Sequence, residues 1–436
     1  MRPVSRRAGA VAAAAVLTIA SAAVISASVR PNAPTLLGQT LDEFASRRAQ
    51  LRQAAGDAIV LITSGRPQDD RMRYRAANEI VYLTGSEAPG ASLALLPDGD
   101  PVGHTEILFA PGRSSAEAEG QRTGIVATRS TMEMWDTLRP SVERARKIYI
   151  VGPVGERSRF QPSGQTQDRI KGINPDAEVL DVRPLIARLR IVKSAGEIAN
   201  LREAIGATIA GFMQAARSIR PGVSELAIEG YTLLGFRQAG AMREGFPAVI
   251  GAGPNSVNIH NDPTSRLVQK GETVVVDIGA EINYYTADLT RTFPVGGRFS
   301  PRQRALYDLI LSVQDACAKR VTAGKTTWSD LESFAREQFR QSPLRAEGRN
   351  GEMLTMDRFF THGLGHGLGL DVHDVGIGGP LPVGSVITIE PGLYIPSESI
   401  GIRIEDDYLV TEHGAEKLSA ALPSEATAIE RMMRGR

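Results

Sequence analysis

The sequence has a single cysteine and no excess of either charge, and both shortages argue against common classes of protein. Its single cysteine, Cys317, excludes an intrachain disulfide and a cysteine-rich metal cluster. Neither sign of charge is in excess, since the formal net charge is +1, and this gives no electrostatic reason to expect nucleic acid as a partner. A chain of 436 residues with 42% hydrophobic and 23% charged residues is ordinary for a soluble globular protein and long enough for two domains.

The N-terminus has the composition of an export signal. Three arginines within the first seven residues precede an uncharged, alanine-rich run at residues 8–29, which Arg30 follows. This pattern predicts a signal in residues 1–30 and an exported protein, periplasmic or secreted. Small residues around Ala23 and Ala27 offer cleavage sites. The alternative is an uncleaved anchor, since the run could bridge a bilayer, and only then do we expect contact with a membrane; its shortage of leucine favours cleavage.

The remaining chain divides near residue 185. Helical and strand patterns alternate in residues 41–185, which predicts an α/β domain. The segment 183–197 then leads into a long helical pattern that ends near Arg217, before a Pro-Gly pair. We predict a second domain at residues 190–436, with strands predominating after Gly271, so the expected fold class is α/β (α+β).

Three of the six histidines, His362, His366 and His373, lie in the segment THGLGHGLGLDVHD at residues 361–374. Its alternating glycines oppose a helix by about 1 kcal/mol each, and Gly363 stands where a helical His-x-x-x-His zinc site needs a glutamate. We therefore predict an extended segment with His362 and His366 on the same side. The alternative is a set of loop histidines without a catalytic role, and partners elsewhere in the chain must decide.

Two aspartates occupy a predicted β-hairpin at residues 273–295. A tight turn at Ile282 and Asn283 would place Asp277 directly opposite Asp288. Their β-carbons would then be about 5 Å apart, which is destabilising for like charges unless a cation neutralises them. The alternative is a one-residue bulge that separates the two carboxylates.

Two glutamates, Glu390 and Glu405, interrupt otherwise apolar strands, where an unpaired carboxylate is costly. Arg403 lies on the same face as Glu405 and offers it a salt bridge, but it leaves Glu390 unexplained. An oxygen-rich set with one imidazole suits two divalent metal ions, with Mn²⁺ favoured and Co²⁺ or Zn²⁺ as alternatives. Two such ions can activate water and polarise a carbonyl group. The candidate metal ligands are Asp277, Asp288, His366, Glu390 and Glu405.

The ordered segments VVVDIGAE, YTADLTRTFP, HGLGHGLGLDVHD, ITIEPGLY and GIRIEDD resemble the metallopeptidases of the creatinase and methionine aminopeptidase superfamily. Within it the chain is most similar to aminopeptidase P and prolidase. FASRRAQL and RYRAANEIVYLTGSEAPGASLALLP resemble the N-terminal domain of those enzymes. The resemblance covers nearly everything after about residue 40. It implies a creatinase-like α/β domain at residues 41–185, followed by a catalytic domain with the pita-bread fold at residues 190–436.

The resemblance also implies the roles of individual residues. One metal would be bound by Asp277, Asp288 and Glu405. The other would be bound by Asp288, His366, Glu390 and Glu405, so that Asp288 and Glu405 bridge the ions. Glu390 would shuttle a proton. The other implied catalytic residues are His260, His362, His373 and Arg403, and Tyr394 is either a further pocket residue or a packed tyrosine at a strand end.

The activity implied is hydrolysis of the N-terminal Xaa-Pro bond of a proline-containing peptide. One alternative is a prolidase, which acts on Xaa-Pro dipeptides only. The other is a pita-bread binding module without catalysis, which is disfavoured because competent residues fill all five ligand positions. We also expect a homo-oligomer.

Overall fold

The computed structural model of the chain describes residues 35–64, 74–155 and 162–434. The export signal predicted in residues 1–30 lies outside these ranges. None of the helices in these ranges combines the length and the hydrophobicity that a membrane span requires.

The described residues form both helices and strands, as the sequence predicts. The helices are α1 (Leu41–Ala55), α2 (Asn78–Thr84), α3 (Arg113–Thr123), α4 (Met134–Arg144), α5 (Pro162–Ile173), α6 (Arg183–Arg190), α7 (Ala195–Ser218), α8 (Glu225–Gln238), α9 (Pro301–Arg320), α10 (Trp328–Gln341) and α11 (Ala426–Arg434). The strands are β1 (Thr35–Leu36), β2 (Gln39–Thr40), β3 (Ile59–Thr63), β4 (Ser92–Leu95), β5 (Glu106–Ala110), β6 (Thr128–Ser130), β7 (Lys147–Ile150), β8 (Glu178–Asp181), β9 (Arg243–Glu244), β10 (Val249–Ala252), β11 (Thr273–Ile278), β12 (Ala280–Ile282), β13 (Tyr285–Thr286), β14 (Leu289–Pro294), β15 (Arg345–Glu347), β16 (Met353–Thr355), β17 (Val386–Ile389), β18 (Gly392–Ile395), β19 (Ile400–Arg403), β20 (Asp406–Thr411) and β21 (Gly414–Lys417).

A six-stranded mixed sheet dominates the first half, with strand order β6-β5-β4-β3-β7-β8. Side chains of a strand alternate between the two faces. Ile59 and Leu61 of β3 accordingly join a core under α4 and α5, whereas Val60 and Ile62 join the larger core that contains α1 and α2. The sheet is thus buried on both faces, which explains why strands such as β3 are continuous apolar runs.

The second half begins with α7, whose first turn follows from its sequence. Ser194 accepts a hydrogen bond from the backbone N–H of Glu197, and the Glu197 side chain accepts one from the backbone N–H of Ser194. This capping box satisfies two N–H groups that a helix start leaves unpaired. The helix ends at Ser218, close to the predicted end near Arg217.

Small antiparallel sheets follow α7 and α8, including β10-β11-β14, β17-β20-β21 and the pair β18-β19. Isolated bridges join Thr290 to Glu405 and Gly367 to Ile387. The prediction that strands predominate after Gly271 was incomplete, because the 20-residue helix α9 and the 14-residue helix α10 also lie there. Helix α9 packs on these sheets and α10 packs mainly on α9, each through an apolar face whose pattern is the signal that the sequence reading missed.

The hairpin predicted at residues 273–295 has a different register. The turn lies at Asn283 and Tyr284, both at positive φ, instead of Ile282 and Asn283. Asp277 therefore faces Thr290, and the prediction that it faces Asp288 was wrong.

In the observed register Asp277 and Asp288 are still close together. Asp288 lies two residues from Thr290 along the chain, so it is a diagonal neighbour of Asp277 on the same face of the hairpin. The same register holds on both sides of Gly279, so no inserted residue supports the alternative of a bulge.

Tertiary contacts explain the register. Left-handed backbone is unusual for tyrosine. The Tyr284 hydroxyl, however, accepts a hydrogen bond from the backbone N–H of Ala76 at 3.3 Å, and the Arg75 guanidinium lies over its ring. These contacts with the first half of the chain offset the backbone strain at Tyr284.

Helices α7 and α8 approach closely at two glycines. A β-carbon on Gly235 would overlap the backbone of Ala210 and Gly211, whereas one on Gly230 of the same helix would meet no heavy atom within 4 Å. We expect Gly235→Ala to lower the free energy of unfolding by about 1–3 kcal/mol through overpacking.

The matched control is Gly230→Ala, which should raise the free energy of unfolding by about 0.5–1 kcal/mol through helix propensity. Urea unfolding of the two variants measures both effects. Equal effects of the two substitutions would contradict this packing.

Candidate metal centre

Several strands deliver acidic side chains to one place. Asp277 lies in β11, Asp288 directly precedes β14, and Glu405 lies between β19 and β20. The bridge between Thr290 and Glu405 fastens the last of these to the hairpin. Glu390 follows β17 and completes the acidic group.

The side chains of Asp288, His366 and Glu405 form the tightest part of the centre. Each offers a ligand atom, and these atoms all lie within 4.8 Å of one another. The His366 Nε2 atom is 3.3 Å from Asp288 Oδ2 and 3.6 Å from Glu390 Oε1. These donors converge closely enough to share a divalent cation.

Burial raises the proton affinity of the carboxyl groups. Desolvation, and next the charge of Asp277, holds the pKa of Asp288 well above its usual range. Desolvation and the charge of Asp288 do the same to the pKa of Glu405, and burial raises the pKa of Glu390 to about 8. Without a metal, this centre therefore holds protons that a divalent cation would displace.

Arg403 supplies one positive charge to the centre, but to a different partner from the one suggested by its sequence position. Its Nη2 atom donates to Asp277 Oδ2 at 2.5 Å, so among the described residues its close ion pair is with Asp277, not Glu405. The other oxygen of Asp277, Oδ1, is buried and accepts no hydrogen bond from the described residues. A buried carboxylate oxygen of this kind is suited to bind a cation.

A chain of hydrogen bonds continues from Arg403 to the histidines. Arg403 Nη1 donates to the Tyr394 hydroxyl at 2.6 Å, and that hydroxyl is 2.9 Å from His362 Nε2. The Nδ1 atom of His362 is 2.7 Å from the carbonyl oxygen of Gly363. Since a carbonyl only accepts, Nδ1 carries the proton and Nε2 accepts from Tyr394. Burial, and next the charge of Arg403, lowers the pKa of His362 to about 3, in keeping with a neutral ring.

Residues 362–374, called the histidine loop below, form neither a helix nor a strand. His362 Nδ1 and His366 Nε2 each lie 3.6 Å from an oxygen of Glu390, so both rings face this carboxyl, on the predicted common side. A β-carbon on Gly365 would overlap the carbonyl oxygen of Thr388. Glycine there lets the loop approach β17.

His366 is held in one tautomer. Its Nδ1 atom is 3.1 Å from the carbonyl oxygen of Gly367, which fixes the proton on Nδ1 and leaves Nε2 free to face the carboxylates. Its backbone N–H donates to Thr388 Oγ1 at 3.1 Å. The ring is thus oriented toward the carboxylates by its own loop and by β17.

The acidic group forms one wall of a cavity of about 590 Å³. His260 and His373 line the same cavity, as do the apolar side chains of Phe246, Pro247 and Val372. The ring centroids of His366 and His373 are 4.3 Å apart in an edge-on arrangement. All the predicted site residues therefore line this cavity, except Tyr394, which lies behind it against His362 and Arg403.

Three residues that support this centre escaped the sequence reading. Thr290 donates to Glu405 Oε2 at 2.7 Å, and the carboxylate of Asp407 accepts the backbone N–H of Asp288 at 3.2 Å. Gln314, in α9, donates to the carbonyl oxygens of the residues that precede Glu390 and Glu405. Thr290 could have been found as the same-face neighbour of Asp288, but the sequence carries no signal for Gln314.

Comparison with known proteins relates this geometry to a family. Residues 199–412 match the model for metallopeptidase family M24, and residues 44–163 match the model for the aminopeptidase P N-terminal domain. The chain is 31% identical to Xaa-Pro aminopeptidase of Haemophilus influenzae, with 90% of this chain and 97% of that protein covered. It is 30% identical to Xaa-Pro aminopeptidase of Escherichia coli, with the same coverage.

Solved structures of aminopeptidases P also match this chain. Aminopeptidase P from E. coli matches with a TM-score of 0.80 and 28% identity, over 91% of this chain and 99% of that one. Proline aminopeptidase P II from Yersinia pestis matches with a TM-score of 0.79 and 28% identity, over 91% of this chain and all of that one.

The fold and the centre thus define a metallopeptidase of family M24. More narrowly, the chain belongs to the aminopeptidase P family, with the N-terminal domain of that family followed by a pita-bread catalytic domain. The expected family and fold class are confirmed. The exact residue limits of the two domains and of the N-terminal segment stay predictions.

Metal-free protein should lose stability as the pH rises from about 7 to about 8. The pKa of Glu390 is about 8 in the folded chain, and the pKa values of Asp288 and Glu405 are also raised, whereas unfolded carboxyls have lost their protons by about pH 6. The folded state then binds more protons, so the free energy of unfolding falls with rising pH. The lowered pKa values of His362 and His373 act oppositely, but only below about pH 7, where unfolded histidine is charged.

Urea unfolding of chelator-treated protein across this window measures the effect. Glu390→Gln is the matched control and should show a smaller decline, because it removes one titrating group. A free energy of unfolding that stays level or rises in the wild type would contradict the assignment.

Proposed function

We propose that this chain is a dinuclear, metal-dependent aminopeptidase that hydrolyses the bond between an N-terminal residue and a following proline. The observation that carries the proposal is the buried group of Asp288, His366 and Glu405 on the wall of a large cavity. It occurs in a chain that aligns with curated Xaa-Pro aminopeptidases over nearly their whole length. One E. coli aminopeptidase P structure carries the inhibitor Pro-Leu, which supports a proline-containing peptide as the substrate.

The residues present fit two divalent ions. Asp277 Oδ1 is a buried oxygen that accepts no hydrogen bond from the described residues, and burial together with neighbouring carboxylates raises the pKa of Asp288 and of Glu405, as expected where a cation would neutralise the group. We assign Asp277, Asp288 and Glu405 to one ion, and Asp288, His366, Glu390 and Glu405 to the other. The donors are mainly carboxylate oxygens with one imidazole, a set that favours Mn²⁺ over metals that prefer thiolates.

When bound, the ions supply a nucleophile derived from water at neutral pH and polarise the scissile carbonyl. Glu390 moves the proton, since its carboxyl lies between His362 and His366 at the cavity wall. His373 and His260 face the cavity and donate to the oxyanion that develops on the substrate. Arg403, with Tyr394 and His362, holds Asp277 and the wall of the pocket in place.

With a proline after the scissile bond, the substrate must be recognised by the side chains that line the cavity. The Xaa-Pro amide is tertiary and has no N–H to donate, so hydrogen bonding to the scissile nitrogen is lost. The curated relatives favour an aminopeptidase over a dipeptidase. A homo-oligomer remains part of the proposal.

Activity should depend on Mn²⁺ and on the carboxylates that we assign as bridging ligands. Protein stripped by a chelator should regain cleavage of an Xaa-Pro tripeptide when Mn²⁺ is added, and it should cleave an Xaa-Pro dipeptide more slowly. Asp288→Asn should lose most bound metal and turnover, because Asp288 faces both proposed sites.

The matched control is Asp308→Asn, at an exposed ion pair in α9, which should behave as wild type. Elemental analysis and product chromatography give the two readouts. An Asp288→Asn variant with two equivalents of metal and normal turnover would refute the ligand assignment.

We further propose that the mature protein acts outside the cytoplasm, on the basis of the arginine-flanked apolar run at residues 8–29. The expected mature chain begins between about residue 22 and about residue 34. Mass spectrometry of protein from cell fractions tests this. Intact Met1 on soluble cytoplasmic protein would overturn the proposal.

A further inference from the structure

Two buried cations lie behind the histidine loop, outside the metal centre. Arg190 ends α6, and Lys193 precedes the first turn of α7. Both side chains are less than a tenth exposed, and both contact the carboxylate of Asp374, which directly follows His373 in the chain. Lys193 Nζ is 3.0 Å from Asp374 Oδ2, and Arg190 Nη2 donates to Asp374 Oδ1. We call Arg190 and Lys193 the basic clamp.

Hydrogen bonds hold the loop as far as Asp371, whose carboxylate accepts one from Asn78, but His373 makes none with the described residues. The loop carries a glycine at every second position from Gly363 to Gly369. Because glycine restricts the backbone least, many conformations other than the native one are accessible to the loop. The bridge from Gly367 to Ile387 and the hydrogen bond from His366 to Thr388 fasten its first part to β17. The part that bears His373 lies beyond these contacts.

Asp374 connects the basic clamp to both functional histidines. Its backbone N–H donates to the carbonyl oxygen of Gly367 at 2.9 Å. The same oxygen accepts the Nδ1 proton that fixes the tautomer of His366. His373 is the next residue along the chain from Asp374. A shift of Asp374 would therefore change the positions of a proposed ligand and of a proposed oxyanion donor together.

The charges balance, and their net effect on stability is expected to be small. Arg190 also donates to Asp371 Oδ2 at 2.7 Å, so two cations face two carboxylates. A buried ion pair of this kind adds little stability over well-packed apolar side chains, because desolvation offsets the attraction, but it fixes geometry. Such fixed positions matter in a glycine-rich loop, because glycine leaves the backbone many accessible conformations.

We infer that Arg190 and Lys193 are positioning residues for the reaction, acting through Asp374 on His366 and His373. The inference rests on the proposed function. It also gives the first residues of the second predicted domain a role in the chemistry, because Arg190 and Lys193 lie there, before the start of α7.

Lys193→Met keeps the length of the side chain and removes its charge. We expect turnover of an Xaa-Pro tripeptide to fall about tenfold to hundredfold, and affinity for Mn²⁺ at the weaker site to fall by a similar factor, as when an outer partner of a metal ligand is removed. KM should change less than about threefold, because no clamp residue touches the substrate. Lys193→Arg, which keeps the charge, should restore most of both losses.

Asp371→Asn provides a second, milder variant, since the Asp371 side chain is half exposed and its loss should not prevent folding. It should cause a smaller loss of turnover and Mn²⁺ affinity in the same direction. The matched control is Arg48→Met, a buried arginine paired with Glu106 in the first half of the chain. It should lower the melting temperature without changing turnover or Mn²⁺ binding.

Calorimetric titration with Mn²⁺ alone separates this inference from the proposed function. A wild type that binds two Mn²⁺ ions but cleaves no Xaa-Pro peptide would defeat the function, and the titrations of the variants would still test the clamp. Lys193→Met and Asp371→Asn proteins with wild-type turnover and Mn²⁺ affinity would overturn the inference. So would losses in Lys193→Met that Lys193→Arg fails to restore.

Discussion

Repulsion among buried carboxylates is the interaction on which the second half of this structure depends. Asp277, Asp288, Glu390 and Glu405 lie in or next to different strands and meet in a largely buried position, where solvent screens their charges weakly. Two like charges about 5 Å apart repel by roughly 3 kcal/mol at an effective dielectric constant near 20. Arg403 neutralises one of these charges, and the others must take up protons or cations. Binding of protons or cations at this centre therefore stabilises the folded chain.

The residues around the centre fix the orientations of its side chains more than they change its charge. Thr290 orients Glu405, Gln314 joins the two strands that precede Glu390 and Glu405, and the backbone carbonyl of Gly367 sets the tautomer of His366. Each contact uses a hydrogen bond to fix an angle that electrostatic attraction alone would leave loose. The ion pairs behind Asp374 apply the same principle one layer farther from the cavity.

Much of this arrangement could be predicted from the sequence. The alternating helical and strand patterns predict the α/β character of the first half and the long helix α7, and acidic residues inside apolar strands point to the centre, because burying a lone carboxylate is costly. The hairpin register could not be predicted, since the contacts of Tyr284 with Ala76 and Arg75 span more than 200 residues of chain. The pairing of Arg403 with Asp277 was missed for a related reason, because it depends on which strands lie side by side.

The hydrogen bond from Ala76 to Tyr284 also bears on the order in which the chain is made. The two residues are 208 positions apart, so at about 5–20 residues per second the first half emerges from the ribosome roughly 10–40 seconds before its partner. During that interval the surface around Ala76 has no hairpin to cover it. The six-stranded sheet and the core under α4 and α5 contain only first-half residues, so they can form in that interval without the hairpin.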